Sequence, residues 1–263
     1  MTDSPAAPPA SPSATPAQVW LVGAGPGDPE LLTLKAARLI AAADVIVYDH
    51  LVGPGILDLA RPDAERIYAG KQSSRHSLPQ QDINALLVRL AQAGKQVVRL
   101  KGGDPFIFGR GGEELETLHA SGVPFAVVPG VTAAAGCAAY AGFPLTHRNH
   151  AQSVVFVTGH LKDGSVDLDW PALARPRQTV VFYMGVGGAA SICQQMIAHG
   201  LPADTPAAAI RCGTLPQQQT VLADLATLPA RLQERQITPP ALLVVGGVVQ
   251  LQAQLSWFEQ NLP

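Results

Sequence analysis

The segment RLKGGDPFIFGRGGEE, residues 99–114, combines residue types that can hold a small ligand and act on it. Five glycines fall within eleven residues, so the backbone approaches another group closely or turns with positive φ. Asp104 offers acceptor oxygens suited to a ribose, an amine or the neighbourhood of a sulfonium. Residues 106–108 are apolar where a plain loop would be polar, and Arg110 precedes Glu113 by three positions at a predicted helix start. The segment therefore predicts a ligand-binding loop.

Two other turns have a similar character. Gly23-Ala24-Gly25-Pro26-Gly27-Asp28 follows a predicted strand and opens a helix, as a dinucleotide-binding turn does. It departs from that pattern because Asp28 stands where Gly or Ala is needed and Pro26 lacks a backbone N–H. We therefore expect no NAD or FAD site. In residues 127–136 (VVPGVTAAAG) small side chains begin a helix, which lets a flat ligand lie against the backbone.

The elements that position these turns alternate between strands and helices. Short apolar runs predict strands at residues 19–22, 45–48, 66–68, 96–100 and 123–128. A helix is predicted from Asp28, as N-cap, to about Ala43, with Pro29 at its first position. Residues 83, 86, 87 and 90 form one apolar helix face. This alternation predicts an α/β fold with a largely parallel sheet.

A second series of strands predicts a second α/β domain. Its strand-like runs are residues 154–157, 179–183, 207–210, 220–222 and 242–245. We place the N-terminal domain at residues 18–145 and the C-terminal domain at residues 146–263. Residues 1–17 are rich in Pro, Ala and Ser, and we predict a disordered tail there.

Composition narrows the classes of partner. With 263 residues and 47% hydrophobic residues the chain can build a sizeable core, and its net charge of −2 disfavours nucleic acid as the main partner. The three scattered cysteines predict neither a disulfide framework nor a zinc site. No run of 18 apolar residues or secretory leader is visible, so we expect a cytoplasmic protein without a membrane partner.

Four segments of the chain occur in the order and at the spacing typical of one family: GAGPGDPELLTLKA, VIVYD, RLKGGDPFIFGRGGEE and VPGVTAAAGCAAYAGFPLTHR. Together they resemble the tetrapyrrole methylase superfamily over roughly residues 18–250. The third segment, with Lys71, is most similar to members that methylate uroporphyrinogen III. The resemblance implies two α/β domains of tetrapyrrole methylase type, with the cofactor in the cleft between them, usually in a homodimer. At this length the chain resembles the stand-alone form, without a fused dehydrogenase and chelatase domain.

The resemblance also implies an activity and a cofactor. The implied activity is methylation of uroporphyrinogen III at carbons 2 and 7 to give precorrin-2, with S-adenosyl-L-methionine as donor and S-adenosyl-L-homocysteine as product. Because the sulfonium methyl is already activated, no metal is expected. The implied cofactor-binding residues are Pro26, Gly102, Gly103, Asp104, Ile107, Thr132, Ala133, Met184, Gly213 and Ala241.

Catalytic and substrate-binding residues follow from the same resemblance. Asp49 and Lys71 match a proton acceptor and a proton donor, while Arg110, Glu113 and Arg148 match substrate or base residues. The acceptor stays open among Asp49, Glu113 and Arg110, although arginine is normally always protonated. We favour Arg110 as a clamp, because uroporphyrinogen carries eight carboxylates and forked arginine contacts to carboxylates are strong.

The sequence offers further cations for substrate binding and departs from the family pattern at two positions. Lys71, Arg75 and Arg148 are additional candidates to meet substrate carboxylates. His50 stands after the Tyr-Asp pair where the family often has Arg, and Cys212 stands before Gly213 where Asn is common.

Three alternatives remain. The first is another superfamily methylase, such as a later corrin methyltransferase or a diphthine synthase. The second is a nucleotide-binding oxidoreductase, which needs a G-x-G-x-x-G turn that is not present. The third is a non-catalytic tetrapyrrole carrier, against which tight S-adenosylmethionine binding would count.

Overall fold

The structure is a computed structural model that describes residues 19–70, 79–159 and 167–258. Its first five strands are β1 (Val19–Gly23), β2 (Val45–Tyr48), β3 (Glu65–Tyr68), β4 (Val97–Lys101) and β5 (Phe125–Val128). The next five are β6 (Ser153–Thr158), β7 (Gln178–Tyr183), β8 (Pro206–Arg211), β9 (Gln219–Asp224) and β10 (Ala241–Val245). The predicted tail at residues 1–17, Lys71 and Arg75 lie outside the described residues.

Helices connect most of these strands. They are α1 (Leu34–Ala42), α2 (Gln80–Gln92), α3 (Gly111–Ala120), α4 (Ala133–Ala141), α5 (Trp170–Leu173), α6 (Ala189–Ala198), α7 (Leu228–Glu234) and α8 (Gln252–Leu255). Short 3-10 turns supplement them. Within the described residues, no helix has both the length and the apolar character needed to cross a bilayer.

The first sheet is entirely parallel, with strand order β3-β2-β4-β1-β5. All five residues of the central strand β4 are buried. Val98 and Leu100 face a cluster that includes Ile40 of α1, whereas Val97 faces a cluster that includes Leu87 of α2 and Leu118 of α3. Helices therefore cover both faces, as a parallel sheet requires, and the α/β prediction is confirmed.

The second sheet is mixed, whereas the first sheet is entirely parallel. Its order is β6-β7-β10-β8-β9, and only β6 and β7 run parallel. β10 pairs antiparallel with both β7 and β8, and β8 pairs antiparallel with β9. Apolar runs reveal that strands exist, but strand direction depends on the connections between them, which these runs do not encode. The largely parallel sheet predicted from the strands at residues 19–128 is confirmed for the first sheet, and no strand direction was predicted for the second.

The helix predicted from Asp28 to Ala43 is split in two. Residues Pro29–Leu31 form a 3-10 turn, and Asp28 caps that turn by accepting from the Glu30 amide at 2.9 Å. The α-helix begins at Leu34, because the Thr33 hydroxyl provides a second N-cap that accepts from the amide of Ala36 at 3.1 Å. The predicted start of the helix is therefore wrong by about one and a half turns.

Helix α4 links the two sheets. It lies within the predicted N-terminal domain, yet its buried residues Ala134 and Cys137 pack in the same cluster as Val181, Ala208 and Leu242 of the second sheet. The chain therefore leaves the first sheet at β5 and is already in contact with the second sheet before residue 145. The exact boundary at 145/146 stays a prediction.

Three glycines bring the ends of β1, β4 and β5 into backbone contact. A Cβ added at Gly130 would lie 2.3 Å from the carbonyl oxygen of Gly103 and 2.9 Å from the Cα of Gly23. A Cβ added at Gly23 would in turn lie 2.5 Å from the amide nitrogen of Gly130. No side chain fits at either position without moving backbone, so the three loops depend on glycine for their approach.

We expect Gly130→Ala to lower the free energy of unfolding by about 1–3 kcal/mol, because the methyl group overpacks a backbone contact. Gly187→Ala is the matched control, since a Cβ there meets no heavy atom within 4 Å. Urea unfolding of both variants and the unmodified protein measures the difference. Equal stability of the two variants would contradict the close approach of these loops.

Candidate active site

The three glycine-rich segments meet at the carboxyl edge of the first sheet. Gly25 and Gly103 exchange backbone hydrogen bonds of 3.2 Å and 2.6 Å, so the turn after β1 lies against the loop after β4. Gly102 packs on the loop after β2, because a Cβ there would lie 2.6 Å from the Cβ of Leu51. In open parallel sheets this edge is where ligands bind. The structure thus places the predicted turns at the expected edge.

Asp104 ties the second segment to the third. Its Oδ1 accepts from the amide of Phe106 at 2.9 Å and its Oδ2 accepts from the amide of Gly130 at 3.0 Å. An ionised carboxylate has about four lone-pair sites, so two remain for a ligand donor such as a hydroxyl or an amine. Asp104 can therefore order the loop and bind a ligand at the same time.

Tyr183, at the end of β7, joins the second sheet to the start of α4. Its hydroxyl lies 2.6 Å from the hydroxyl of Thr132 and accepts from the amide of Ala134 at 3.0 Å, while its ring lies 4.8 Å from that of Phe108. Burial raises the pKa of the Tyr183 phenol. The next residue, Met184, has a left-handed backbone (φ 56°) and a half-exposed side chain. The second sheet thus brings Tyr183 against the loops of the first, with Met184 next to it in the chain.

A second polar contact between the two halves involves the first glycine turn. The amide of Asp28 donates to the hydroxyl of Thr214 at 3.0 Å, and the Tyr140 hydroxyl donates to Oδ2 of Asp28 at 2.6 Å. Burial is the main cause that raises the pKa of Tyr140 to about 12, and the hydrogen bond to Asp28 adds to it. Asp28 is thus occupied by contacts within the protein.

The remaining predicted cofactor residues lie in the same region or on the second sheet. Pro26 packs on α4, where a Cβ at Gly136 would lie 2.4 Å from its ring. Ile107 and Ala133 are half-buried against the cluster that contains Tyr183. Two others lie in the second half of the chain: Gly213, which packs against Cys137 of α4, and Ala241, the first residue of β10.

Asp49 lies directly after β2, at the same edge of the sheet. Its Oδ1 accepts from the amide of Leu51 at 3.0 Å, and its Oδ2 lies 3.5 Å from Nη2 of Arg99. The side chain is 20% exposed, so the carboxylate remains partly accessible to solvent. Its predicted partner Lys71 is outside the described residues.

Beneath Asp49 lies a buried charged cluster that the prediction did not include. Oε1 of Glu114 accepts from Nε of Arg99 at 3.1 Å, from Nζ of Lys101 at 3.0 Å and from Nε2 of Gln80 at 3.2 Å. Burial is the main cause that lowers the pKa of Lys101, and the positive charge of Arg99 adds to it. The charge and hydrogen bond of Glu114 oppose this shift. The signal in the sequence is a pair of cations two residues apart in an apolar strand, Arg99 and Lys101.

Arg110 and Glu113 form a forked ion pair at the start of α3. Nε and Nη2 of Arg110 donate to the two carboxylate oxygens of Glu113 at 2.7 Å and 2.6 Å, and both side chains are 51% exposed. This hydrogen bonding raises the pKa of Arg110, which disfavours a role as proton acceptor. The exposed fork is instead suited to binding a carboxylate.

Arg148 is not brought into contact with these groups. It lies in the exposed loop between α4 and β6, and among the described residues its side chain forms no ion pair. Its carbonyl oxygen accepts from Nη2 of Arg177 at 2.8 Å. The predicted substrate role of Arg148 stays a prediction.

Comparison with known proteins places this arrangement in a family. Residues 18–229 match the family model described as Tetrapyrrole (Corrin/Porphyrin) Methylases. A siroheme synthase of Nitrosospira multiformis is 63% identical over 248 residues, which cover 94% of this chain and 52% of that protein. A siroheme synthase of Azotobacter vinelandii is also 63% identical, over 92% of this chain and 52% of that protein. The chain spans about half the length of these curated relatives.

Solved structures show the same relationship over nearly their whole length. The native uroporphyrin III C-methyl transferase of Thermus thermophilus is 41% identical with a TM-score of 0.76, covering 89% of this chain and 93% of that chain. The same Thermus enzyme complexed with S-adenyl homocysteine is 42% identical with the same TM-score. The resemblance in sequence is thereby confirmed, and the chain belongs to the tetrapyrrole (corrin/porphyrin) methylase family.

Proposed function

We propose that this chain transfers methyl groups from S-adenosylmethionine to carbons 2 and 7 of uroporphyrinogen III and so forms precorrin-2. The observation that carries the proposal is the meeting of the loops after β1, β4 and β5 at one edge of the sheet, where the Tyr183 hydroxyl of the second sheet contacts the hydroxyl of Thr132. The likeness to the Thermus uroporphyrin III C-methyl transferase supports this substrate. We also expect the active form to be a homodimer.

The residues at the cleft suit this cofactor. Asp104 keeps two acceptor positions for ribose hydroxyls or an amine. Ile107, Ala133 and Met184 offer apolar surface to an adenine ring or a methionyl chain. Gly103 (φ 67°) brings backbone close to this surface without a side chain in between. The chain can therefore hold a molecule with both a polar ribose and a flat apolar part.

S-adenosylmethionine supplies a sulfonium methyl that an electron-rich pyrrole carbon attacks directly. The protein's main contribution is to hold the two reactants in line, an effect that lowers the barrier by about 7–11 kcal/mol in favourable cases. A proton must then leave the methylated macrocycle. Asp49 is the acceptor best supported by geometry, because its carboxylate is fixed at the edge of the cleft and remains partly exposed. Arg110 is better suited to hold a substrate carboxylate.

We expect the purified protein, assayed anaerobically with uroporphyrinogen III and S-adenosylmethionine, to add two methyl groups and release S-adenosylhomocysteine. Mass spectrometry of the tetrapyrrole and its absorbance measure this outcome. A tetrapyrrole that gains no methyl group, while the cofactor still binds, would contradict the proposed substrate. It would favour a later corrin intermediate, since the chain is also 26% identical, with a TM-score of 0.79, to a cobalt precorrin-4 methyltransferase.

Replacing Asp49 with asparagine is expected to lower kcat by about 10²–10⁴-fold, the usual contribution of a general base, with little change in the KM for S-adenosylmethionine. Asp58→Asn, at an exposed aspartate in the same half, is the matched control. Steady-state kinetics with both substrates measure the two parameters. If the Asp49 variant retained full kcat, the acceptor would be another group, and Glu113 would be the next residue to test.

Removing the Arg110 side chain is expected to raise the KM for the tetrapyrrole by about 10-fold or more, because one charge-assisted contact is lost. Arg231→Ala is the matched control, since Arg231 forms an equally exposed i,i+3 pair with Glu234 on α7, away from the cleft. The same kinetic assay at low salt separates the two variants. Normal substrate affinity in Arg110→Ala would exclude the clamp.

A further inference from the structure

Two cations lie in the core on one face of β4. Arg99 and Lys101 are 3% and 5% exposed, and they share the face of Val97, which packs against α2 and α3. Cations are almost never this buried unless they are paired, because removing a charge from water costs several kcal/mol. Arg99 and Lys101 therefore require negatively charged partners inside the core.

Glu114 supplies one buried anion and Asp49 supplies the other at the rim. Glu114 is fully buried and is the only buried carboxylate among residues 19–70, 79–159 and 167–258. Its Oε1 accepts from both cations, while its buried Oε2 has no hydrogen-bond partner in the described part of the chain. Two cations and one buried carboxylate leave one positive charge, and the carboxylate of Asp49 lies 3.5 Å from Arg99. The charge of Asp49 therefore completes the cluster.

The guanidinium of Arg99 is held on every side by fixed acceptors. Nε donates to Glu114, and Nη1 donates to the carbonyls of Leu100 at 3.1 Å and Val47 at 3.4 Å. Because the guanidinium is planar, these contacts fix the direction of Nη2, which faces Asp49. A substitution at Glu114 would therefore change the orientation of Arg99 and, through it, the position of the Asp49 carboxylate.

We propose that Glu114 and Arg99 are positioning residues that hold the Asp49 carboxylate in place for the proton transfer that accompanies methylation. This inference rests on the proposed function. The backbone amide of Leu51 holds one oxygen of Asp49 and Arg99 lies against the other, so the carboxylate is constrained at both ends. Lys101 shares the Glu114 oxygen, and its own carbonyl accepts from the amide of Ala24 at 2.7 Å. The cluster thus connects Asp49 with the glycine-rich loops.

Glu114→Gln tests the proposal because it keeps the volume of the side chain but replaces the charge-assisted hydrogen bonds that hold Arg99 with weaker neutral ones, which lets the guanidinium and Asp49 move. The three donors to Glu114 all use Oε1, which the glutamine carbonyl oxygen replaces, and the new NH2 group takes the place of the unpartnered Oε2. We expect kcat to fall by up to about 10²-fold, the cost of misplacing a reacting group by about 1 Å. The KM for S-adenosylmethionine should stay unchanged. Glu116→Gln, at an exposed glutamate on the same helix, is the control.

A double-mutant cycle separates positioning from a structural role. In an Asp49→Asn background, Glu114→Gln should lower kcat by no more than about twofold, because the residue through which it acts is already disabled. Losses that simply multiply would overturn the proposal. If Glu114→Gln does not fold, Arg99→Lys takes its place in the cycle, since lysine keeps the charge but cannot face Glu114 and Asp49 together.

Crystal structures of the same variants give a result that does not depend on activity. In Glu114→Gln or Arg99→Lys we expect the Asp49 carboxylate to shift by more than about 0.5 Å, the tolerance of a productive site, while the Gly102–Gly103 backbone stays in place. An unmoved Asp49 carboxylate would overturn the proposal even if the variants were slow. A lack of methyl transfer by the unmodified protein would instead count against the proposed function, and the crystal structures would still decide the positioning.

Discussion

The site depends on the backbone contact among the ends of β1, β4 and β5. Gly23, Gly103 and Gly130 approach so closely that no Cβ fits at Gly23 or Gly130, and the side chain of Asp104 spans the contact by accepting from the amide of Gly130. Because the three strands are neighbours in one parallel sheet, their loops leave from the same edge. The geometry of the cleft thus follows from strand order together with glycine at these positions.

The second half of the chain completes the cleft through a few polar contacts. Tyr183 bonds the start of α4 by its hydroxyl, and Thr214 bonds the amide of Asp28. Met184 and Thr214 have left-handed backbones, with φ of 56° and 68°, a conformation that is uncommon outside glycine. Such strain persists only where surrounding contacts enforce it, and here it occurs at Thr214, which bonds Asp28, and at Met184, which follows Tyr183. The two halves are therefore held in a defined relation at the place where a ligand would lie.

The sequence predicted the strands well and the long-range relations poorly. Each apolar run became a strand within a few residues, because burial in a sheet produces a local signal. The strand directions of the mixed second sheet were not predicted, since direction depends on connections, and the predicted start of α1 was too early because Thr33 competes with Asp28 as a cap. The role of Glu114 was not predicted either. A glutamate after two glycines is typical of a solvated helix start, and only the fold brings it beneath Arg99 and Lys101.

Stability alone does not explain why charges lie beneath Asp49. Buried ion pairs often add little to the free energy of unfolding compared with apolar side chains of similar volume, because desolvation offsets the attraction. Their benefit is directional, and Arg99 has each guanidinium nitrogen directed at a different acceptor. Arg110 differs, since it is half-exposed and its fork is open to exchange Glu113 for a substrate carboxylate. One arginine in the core thus fixes a protein carboxylate, and the other is exposed and can exchange Glu113 for a foreign carboxylate, which favours Asp49 over Arg110 as the proton acceptor.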